Sequence, residues 1–458
     1  MMKKLLALLI FATSIVNAQY TVKGTMTPPE KTDWVILYKI EGAKQKFVLN
    51  STIKFDTILV GGEQQVLGKF QLDLPKDTKP GAYRATYRNK GAGFVDFYFN
   101  KENVEFIFNP KYPDESVVFT SSRENKLYNE YLEAYIKIQN KIDKSQGTYI
   151  TEEDKEAKKT YKKAIKELED VQDMYENKSE GMLVNHFIKA TQRYNPSSPI
   201  DNMEDYMEST IDNFFKYIDF DSDVLYNSSF LMDRINDYVF YLNSSEDKQV
   251  QQKLLRKAIV TVMKQIPKGK LKKTTLEFLI TSLADKRNGE AVDWVLAEYY
   301  DKLPSDQFDA EFKEEKLTLL RATIGRTAPD FSWQENGEEL KLSTLNDGEK
   351  YLLIFWSTGC PHCVKEIPVL HESMKNRNDV SIISFGIEND NVKWTEFVKT
   401  LPNWHNAIGT HPTWKWDNET VKMYQLLATP SYFVLDSNKK IIAMPDHMED
   451  VQKFFENN

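Results

Sequence analysis

Tyr351-Leu352-Leu353-Ile354-Phe355-Trp356-Ser357-Thr358-Gly359-Cys360-Pro361-His362-Cys363 is the stretch on which the reading of this chain turns. The apolar run Tyr351–Trp356 reads as a buried strand. A helix pattern opens at Pro361 and continues to about residue 376. Cys360 and Cys363 are the only cysteines in the 458 residues. A thiol pair at a strand-to-helix junction suits reversible disulfide chemistry. The helix N-terminus favours an anionic thiolate there, and the thiolate is the reacting species.

Outward from this stretch, strands are expected near 351–357, 380–387, 431–436 and 440–444. Helices fit 361–376, 391–400, 418–427 and 447–456. A βαβ start followed by a β-hairpin and a terminal helix matches a thioredoxin-like sheet. Upstream the pattern differs. Four prolines and four glycines fall between residues 122 and 321, a scarcity that implies a mostly helical region. Tyr128, Tyr131, Leu132, Tyr135, Ile138 and Ile142 recur at helical spacing, as do Leu254, Leu255, Ala258, Ile259, Val262 and Ile266. Ser121 and Glu124 fit a capping box at the start of this region. The Lys/Glu-rich segment 152–178 reads as a solvated helix or hairpin. Residues 19 to about 115 read as β. Phe94–Phe99 and Val104–Phe108 are aromatic-rich runs that Asn100–Asn103 joins like a hairpin loop. The expected architecture is therefore multidomain: a leader over 1–18, a small all-β module over 19–115, an α-helical region over 121–321, and a C-terminal α/β thioredoxin-like domain over 324–458.

Four elements of that last domain, in order, carry a family resemblance. They are Gly325-Arg326-Thr327-Ala328-Pro329-Asp330-Phe331 and the loop Phe355–Cys363. Glu366 and Pro368 then continue a CxxC-x-x-E-x-P pattern, and Thr429-Pro430 precedes Ser431–Asp436. Residues 324–458 resemble the TlpA/ResA-like branch of the thioredoxin superfamily. The resemblance implies an active-site loop with Trp356, Pro361 and His362 beside the two cysteines. It also implies a cis-proline at Pro430, with the Thr429 backbone near the cysteines to pair with an extended substrate.

The chemistry follows from the residues as well. Cys360, exposed at the helix start, attacks a substrate disulfide, and Cys363, one turn on, reaches back to release the product. Glu366 lies three residues after Cys363 and is the candidate proton acceptor. The position two before Trp356, where thioredoxins carry a buried acid, holds Ile354. A protonated His362 favours the thiolate and makes the disulfide more oxidising. Pro-His resembles the dipeptide of DsbA-like oxidases, whereas the rest of the domain resembles reductases. Gly359 stands where many relatives carry Trp, which opens the loop. Segment 401–417, with Trp404, His405, His411, Trp414 and Trp416, offers either a replacement surface or a buried aromatic cluster.

Three alternatives bear on the same cysteines. As half of a zinc site the pair lacks a second cysteine pair, leaving His362, His371, His405 and His411 as further ligands. As a thiol peroxidase the chain has Ser357 three residues before Cys360 but Leu353 where a proline belongs. A copper-binding module is the third. The expected reading is a thiol–disulfide oxidoreductase without cofactor or metal, more reductase than DsbA-like oxidase or isomerase. It exchanges disulfides with protein thiols and a redox partner protein, and the accessory regions serve docking or homo-oligomer formation.

Lys3 and Lys4, the apolar run from Leu5 to Ala12, and Val16-Asn17-Ala18 have the pattern of a secretory signal peptide. The run is too short to span a bilayer. A periplasmic or otherwise extracytoplasmic protein, soluble after cleavage, is expected. A net charge of −8 argues against nucleic acid or an anionic membrane surface as partner.

Overall fold

The computed structural model describes residues 18–88, 91, 93–267 and 269–457. The expected leader falls outside these apart from Ala18. Among the described residues no helix is long and apolar enough to cross a membrane. The chain divides into two compact units between Thr274 and Thr275. The change from helical to alternating pattern near residue 324 marks a change of element type. The division between compact units lies earlier, inside the helix Lys270–Asp285.

The first unit begins as a β-sandwich. One sheet holds β1 (Ala18–Met26), β4 (Lys54–Val60), β5 (Glu63–Pro75), β8 (Val104–Phe108) and β9 (Val118–Ser121), in the order β4-β5-β1-β8-β9. The other holds β2 (Trp34–Glu41), β3 (Lys44–Thr52), β6 (Gly81–Thr86) and β7 (Phe94–Phe99), in the order β3-β2-β6-β7. Alternate residues of both sheets fill one core, among them Leu72, Leu74, Phe106 and Phe108 from one face and Leu37, Tyr83, Phe97 and Phe99 from the other. The expected hairpin of Phe94–Phe99 with Val104–Phe108 is not formed. β7 pairs with β6, whereas β8 pairs with β1 and β9. Asn100–Asn103 crosses between sheets, anchored by Lys101, whose Nζ donates to the carbonyls of Lys76 (2.9 Å) and Thr78 (2.6 Å).

The helix Arg123–Glu152 begins one residue later than the capping-box pattern places it. Ser122, not Ser121, caps Arg123–Glu152, and its Oγ accepts the Asn125 N–H at 3.2 Å. Ser121 is spent in β9, pairing with Glu105. The Glu102 carboxylate accepts the N–H groups of Arg123 (3.0 Å) and Glu124 (3.1 Å) and the Ser122 hydroxyl (2.5 Å). Glu124 itself is buried and accepts the backbone N–H groups of Leu183 and Val184 at the start of the helix Val184–Thr191. The Lys/Glu-rich segment forms the helix Lys155–Lys178, which packs Tyr161, Ala164 and Leu168 against Tyr131, Tyr135 and Ile142.

The second unit contains helices Gly289–Glu298 and Ala310–Leu319 and the domain that carries Cys360 and Cys363. Arg287 donates to the Gln425 carbonyl at 3.0 Å, and Arg326 pairs with Asp293. A hairpin of β10 (Ser332–Glu335) and β11 (Glu338–Lys341) precedes a five-stranded sheet. The strands are β12 (Lys350–Trp356), β13 (Val380–Glu388), β14 (His405–Thr410), β15 (Ser431–Asp436) and β16 (Ile441–Ala443), in the order β14-β13-β12-β15-β16. β12, β13 and β14 run parallel, and β15 and β16 are antiparallel to their neighbours. Residues 325–328 follow the outer side of β16. Gly325 N–H donates to the Ile441 carbonyl, Ile441 N–H to that of Arg326, and Ala328 N–H to that of Lys439, each at 2.8 Å.

Candidate active site at the start of the Pro361–Met374 helix

β12 is buried from Tyr351 to Trp356, as expected of a central strand covered on both faces. Leu352, Ile354 and Trp356 share a cluster with Cys363, Ile367 and Leu370 of the helix Pro361–Met374. Tyr351, Leu353 and Phe355 face the opposite core. The alternation aims the strand's end at the helix start and leaves three residues, Ser357–Gly359, to make the turn. Ser357 is fully buried; its carbonyl accepts the Cys360 N–H, and its Oγ accepts the Gly359 N–H, both at 3.1 Å. Glu388, at the end of β13 and also buried, accepts the Thr358 N–H.

Cys360 is the helix N-cap, and Pro361 takes the first helical position, where a missing N–H costs nothing. The Cys363 N–H points at Cys360 Sγ, 3.2 Å away. The two cysteines form a disulfide with Cα atoms 5.3 Å apart. They differ in access: Cys360 is partly exposed and Cys363 is 0% exposed. An outside sulfur can therefore approach only Cys360. The Thr429–Pro430 peptide is cis, and the Thr429 carbonyl oxygen lies 3.3 Å from Cys360 Sγ. Five of the sequence-predicted residues, Cys360, Cys363, Pro361, Thr429 and Pro430, thus meet at one point.

The remaining three are placed differently. Trp356 is not a loop residue but the end of β12, wholly buried, with its indole N–H donating to Ser384 Oγ at 2.7 Å. It supports the loop from beneath. The His362 side chain is 82% exposed, and its Nδ1 lies 3.9 Å from Glu366 Oε1. Glu366 is 31% exposed, so it borders solvent as well as the domain. Its charge reaches Tyr432, which pairs opposite Ile354 and shares the Cys363 cluster. Burial first, then the Glu366 and Glu449 charges, hold the Tyr432 phenol far above its ordinary range, so it stays neutral. Its hydroxyl has no hydrogen-bond partner among the described residues. The sequence signal for it was a tyrosine in an otherwise apolar run two residues after Pro430.

The 401–417 segment divides between surface and core. Trp404 is buried and packs against His371 with ring centroids 4.9 Å apart and planes tilted by 58°, and Trp416 packs on the core. Only Trp414, 57% exposed, reaches the surface as a large ring. His405 is clamped between Glu335 (2.9 Å) and Asp347 (2.7 Å). Burial alone would lower its pKa, but the hydrogen bonds to the two carboxylates outweigh that and raise it. His371 contacts the Pro402 carbonyl, and His411 Nδ1 accepts the Trp414 N–H. The four histidines are thus engaged apart from one another. Among the described residues no group of three His, Cys, Asp or Glu side chains is arranged to hold a metal ion. Sequence reasoning missed Lys415, whose Nζ donates to Ser357 Oγ at 2.6 Å, and Glu388.

Comparison with known proteins bears on this domain. The Redoxin family model matches residues 323–453. The thiol-disulfide oxidoreductase ResA of Bacillus thuringiensis subsp. konkukian is 28% identical over 134 residues, covering 28% of this chain and 70% of that protein. The thiol:disulfide interchange protein DsbE of Vibrio cholerae is 30% identical over 92 residues, 20% of this chain and 49% of that one. Among solved structures, a domain of a possible thiol-disulfide isomerase from Cytophaga hutchinsonii shares 27% identity, covering 29% of this chain and 91% of its own, with a TM-score of 0.26. A thioredoxin-like protein from Bacteroides caccae shares 15% identity over 56% of this chain and 94% of its own, with a TM-score of 0.29.

Proposed function

Residues 323–453 form a TlpA/ResA-like domain of the thioredoxin superfamily, and from that premise we propose that the chain is a thiol–disulfide oxidoreductase working through Cys360 and Cys363. One observation carries the reading: the accessible Cys360 caps a helix whose Cys363 N–H points at its sulfur, while Cys363 is closed off beneath. Once reduced, the pair runs as follows. The Cys360 thiolate attacks one sulfur of a substrate disulfide, and the substrate's other sulfur leaves as a thiolate and takes a proton. Cys363 gives its proton to Glu366, attacks the Cys360 sulfur and expels the substrate's remaining thiol. The substrate gains two electrons, and the enzyme ends as the disulfide. A redox partner protein restores the dithiol by the reverse exchange. The Thr429 carbonyl, beside Cys360, is the backbone acceptor for an extended substrate.

The reductase direction is favoured. His362 projects into solvent, where its field is screened, and the Glu366 carboxylate beside it offsets a positive charge. Both effects weaken the oxidising influence of the Pro361-His362 dipeptide. The N-terminal leader pattern supports an extracytoplasmic setting, with residues 19–320 available for docking or self-association. In insulin or model-disulfide reduction, Cys360→Ala should abolish turnover, and Cys363→Ala should accumulate mixed disulfides. Unchanged turnover in Cys360→Ala would overturn the proposal.

A further inference from the structure

Resting on that exchange reading, we infer that Lys415 is a positioning residue of the redox loop, a cation held beside the Cys360 helix cap to favour its thiolate. Its Nζ donates to Ser357 Oγ, the same oxygen that receives the Gly359 N–H, while the Ser357 carbonyl receives the Cys360 N–H. The lysine is therefore tied to the residue that shapes the turn into the cap. A β-carbon at Gly359 would lie 3.6 Å from Nζ. By chain geometry this puts the charge within about 9 Å of the Cys360 Cα.

Gly359 has room for a side chain and is not among the glycines with left-handed φ. Its backbone does not demand glycine. What glycine supplies is an unobstructed path, with no ring or branch between the ammonium and the cap. Among the described residues Lys415 has no carboxylate partner, and the neighbouring Asp417 pairs with Lys422 at 3.0 Å.

Other groups face the Cys360 region. From its own helix come His362 and Glu366, with Lys365 exposed; from β13 comes Glu388, committed to the Thr358 N–H; from β15 comes the neutral Tyr432 phenol. The two carboxylates oppose a thiolate. His362 and Lys365 stand in solvent, whereas the Lys415 ammonium is half-buried, where its field is less screened.

The test uses the full-length protein, with Lys415→Met and Lys415→Arg. Two quantities are read: the pH profile of Cys360 alkylation by iodoacetamide, and the redox equilibrium of the pair against glutathione. Lys415→Met should move the alkylation profile upward by about half a unit to one unit. It should shift the equilibrium roughly 3- to 10-fold towards the disulfide, equivalent to about 15–30 mV more negative. Lys415→Arg should keep wild-type values in both. Raising salt to about 1 M should narrow the gap between wild type and Lys415→Met. The inference is overturned if Lys415→Met behaves as wild type, or if Lys415→Arg departs as far as Lys415→Met, since charge would then not be the cause. A wild-type pair that fails to equilibrate with glutathione would overturn the exchange reading instead, and the alkylation profiles would still decide the charge effect.

Discussion

Of the helices that start just after a strand, Arg123–Glu152 and Pro361–Met374 treat their first free N–H groups in opposite ways. Arg123–Glu152 follows β9, and its start is filled: Ser122 caps it, and the Glu102 carboxylate accepts two backbone N–H groups and the serine hydroxyl. Pro361–Met374 follows β12, and its cap is a sulfur that accepts one N–H. A helix N-terminus favours an anion. In the first case the Glu102 carboxylate already occupies the site and the result is stability. In the second the anion exists only when Cys360 is a thiolate, so under the proposed exchange the same preference becomes a bias on a reaction. The difference lies in which residue type occupies the cap, not in helix geometry.

The strongest way to break this comparison is to make the second start resemble the first. Cys360→Ser supplies a good neutral cap. The helix should persist by circular dichroism while disulfide exchange falls by more than about 10³-fold. The converse test is Glu102→Gln, which leaves the first start without its anion. It should cost about 1–2 kcal/mol in urea unfolding of the first unit and leave the Cys360–Cys363 potential unchanged. A changed potential would mean that the two starts are not independent.

The smallest effect is expected where charge serves stability inside the domain that carries Cys360 and Cys363. Because the folded-state pKa of His405 is raised by its carboxylate partners, its contribution is fully present below the unfolded value of about 6.5. It is lost as pH rises through the folded value. The stability gap between wild type and His405→Gln should therefore be about 0.5–1 kcal/mol near pH 6 and shrink by about pH 9. A gap that widens with pH would show that the clamp does not hold a charged imidazole.

What the sequence revealed depends on how local each signal is. The CxxC, its helix and the Thr429-Pro430 segment are written in short runs, so the site was legible before any contact was known. The alternation in Phe94–Phe99 and Val104–Phe108 told which side chains are buried, but not that the two strands serve different sheets, because both orientations bury the same residues. β14 went unread because His405–Thr410 buries only Ala407 and Gly409 and carries no apolar period. Lys415 and Glu388 lie 58 and 30 residues from the loop atoms they hold, a separation that no local pattern spans.

The hydrogen bonds that residues 325–328 make along β16 have a practical bearing. A sheet edge with unpaired N–H and C=O groups is a template for self-association. This short segment occupies that edge, so it acts as a selvedge, the finished border that stops a weave from catching on its neighbours. A fragment cut to begin at Pro329 would keep both cysteines, the cis-proline and the whole sheet, yet expose the border that residues 325–328 now close.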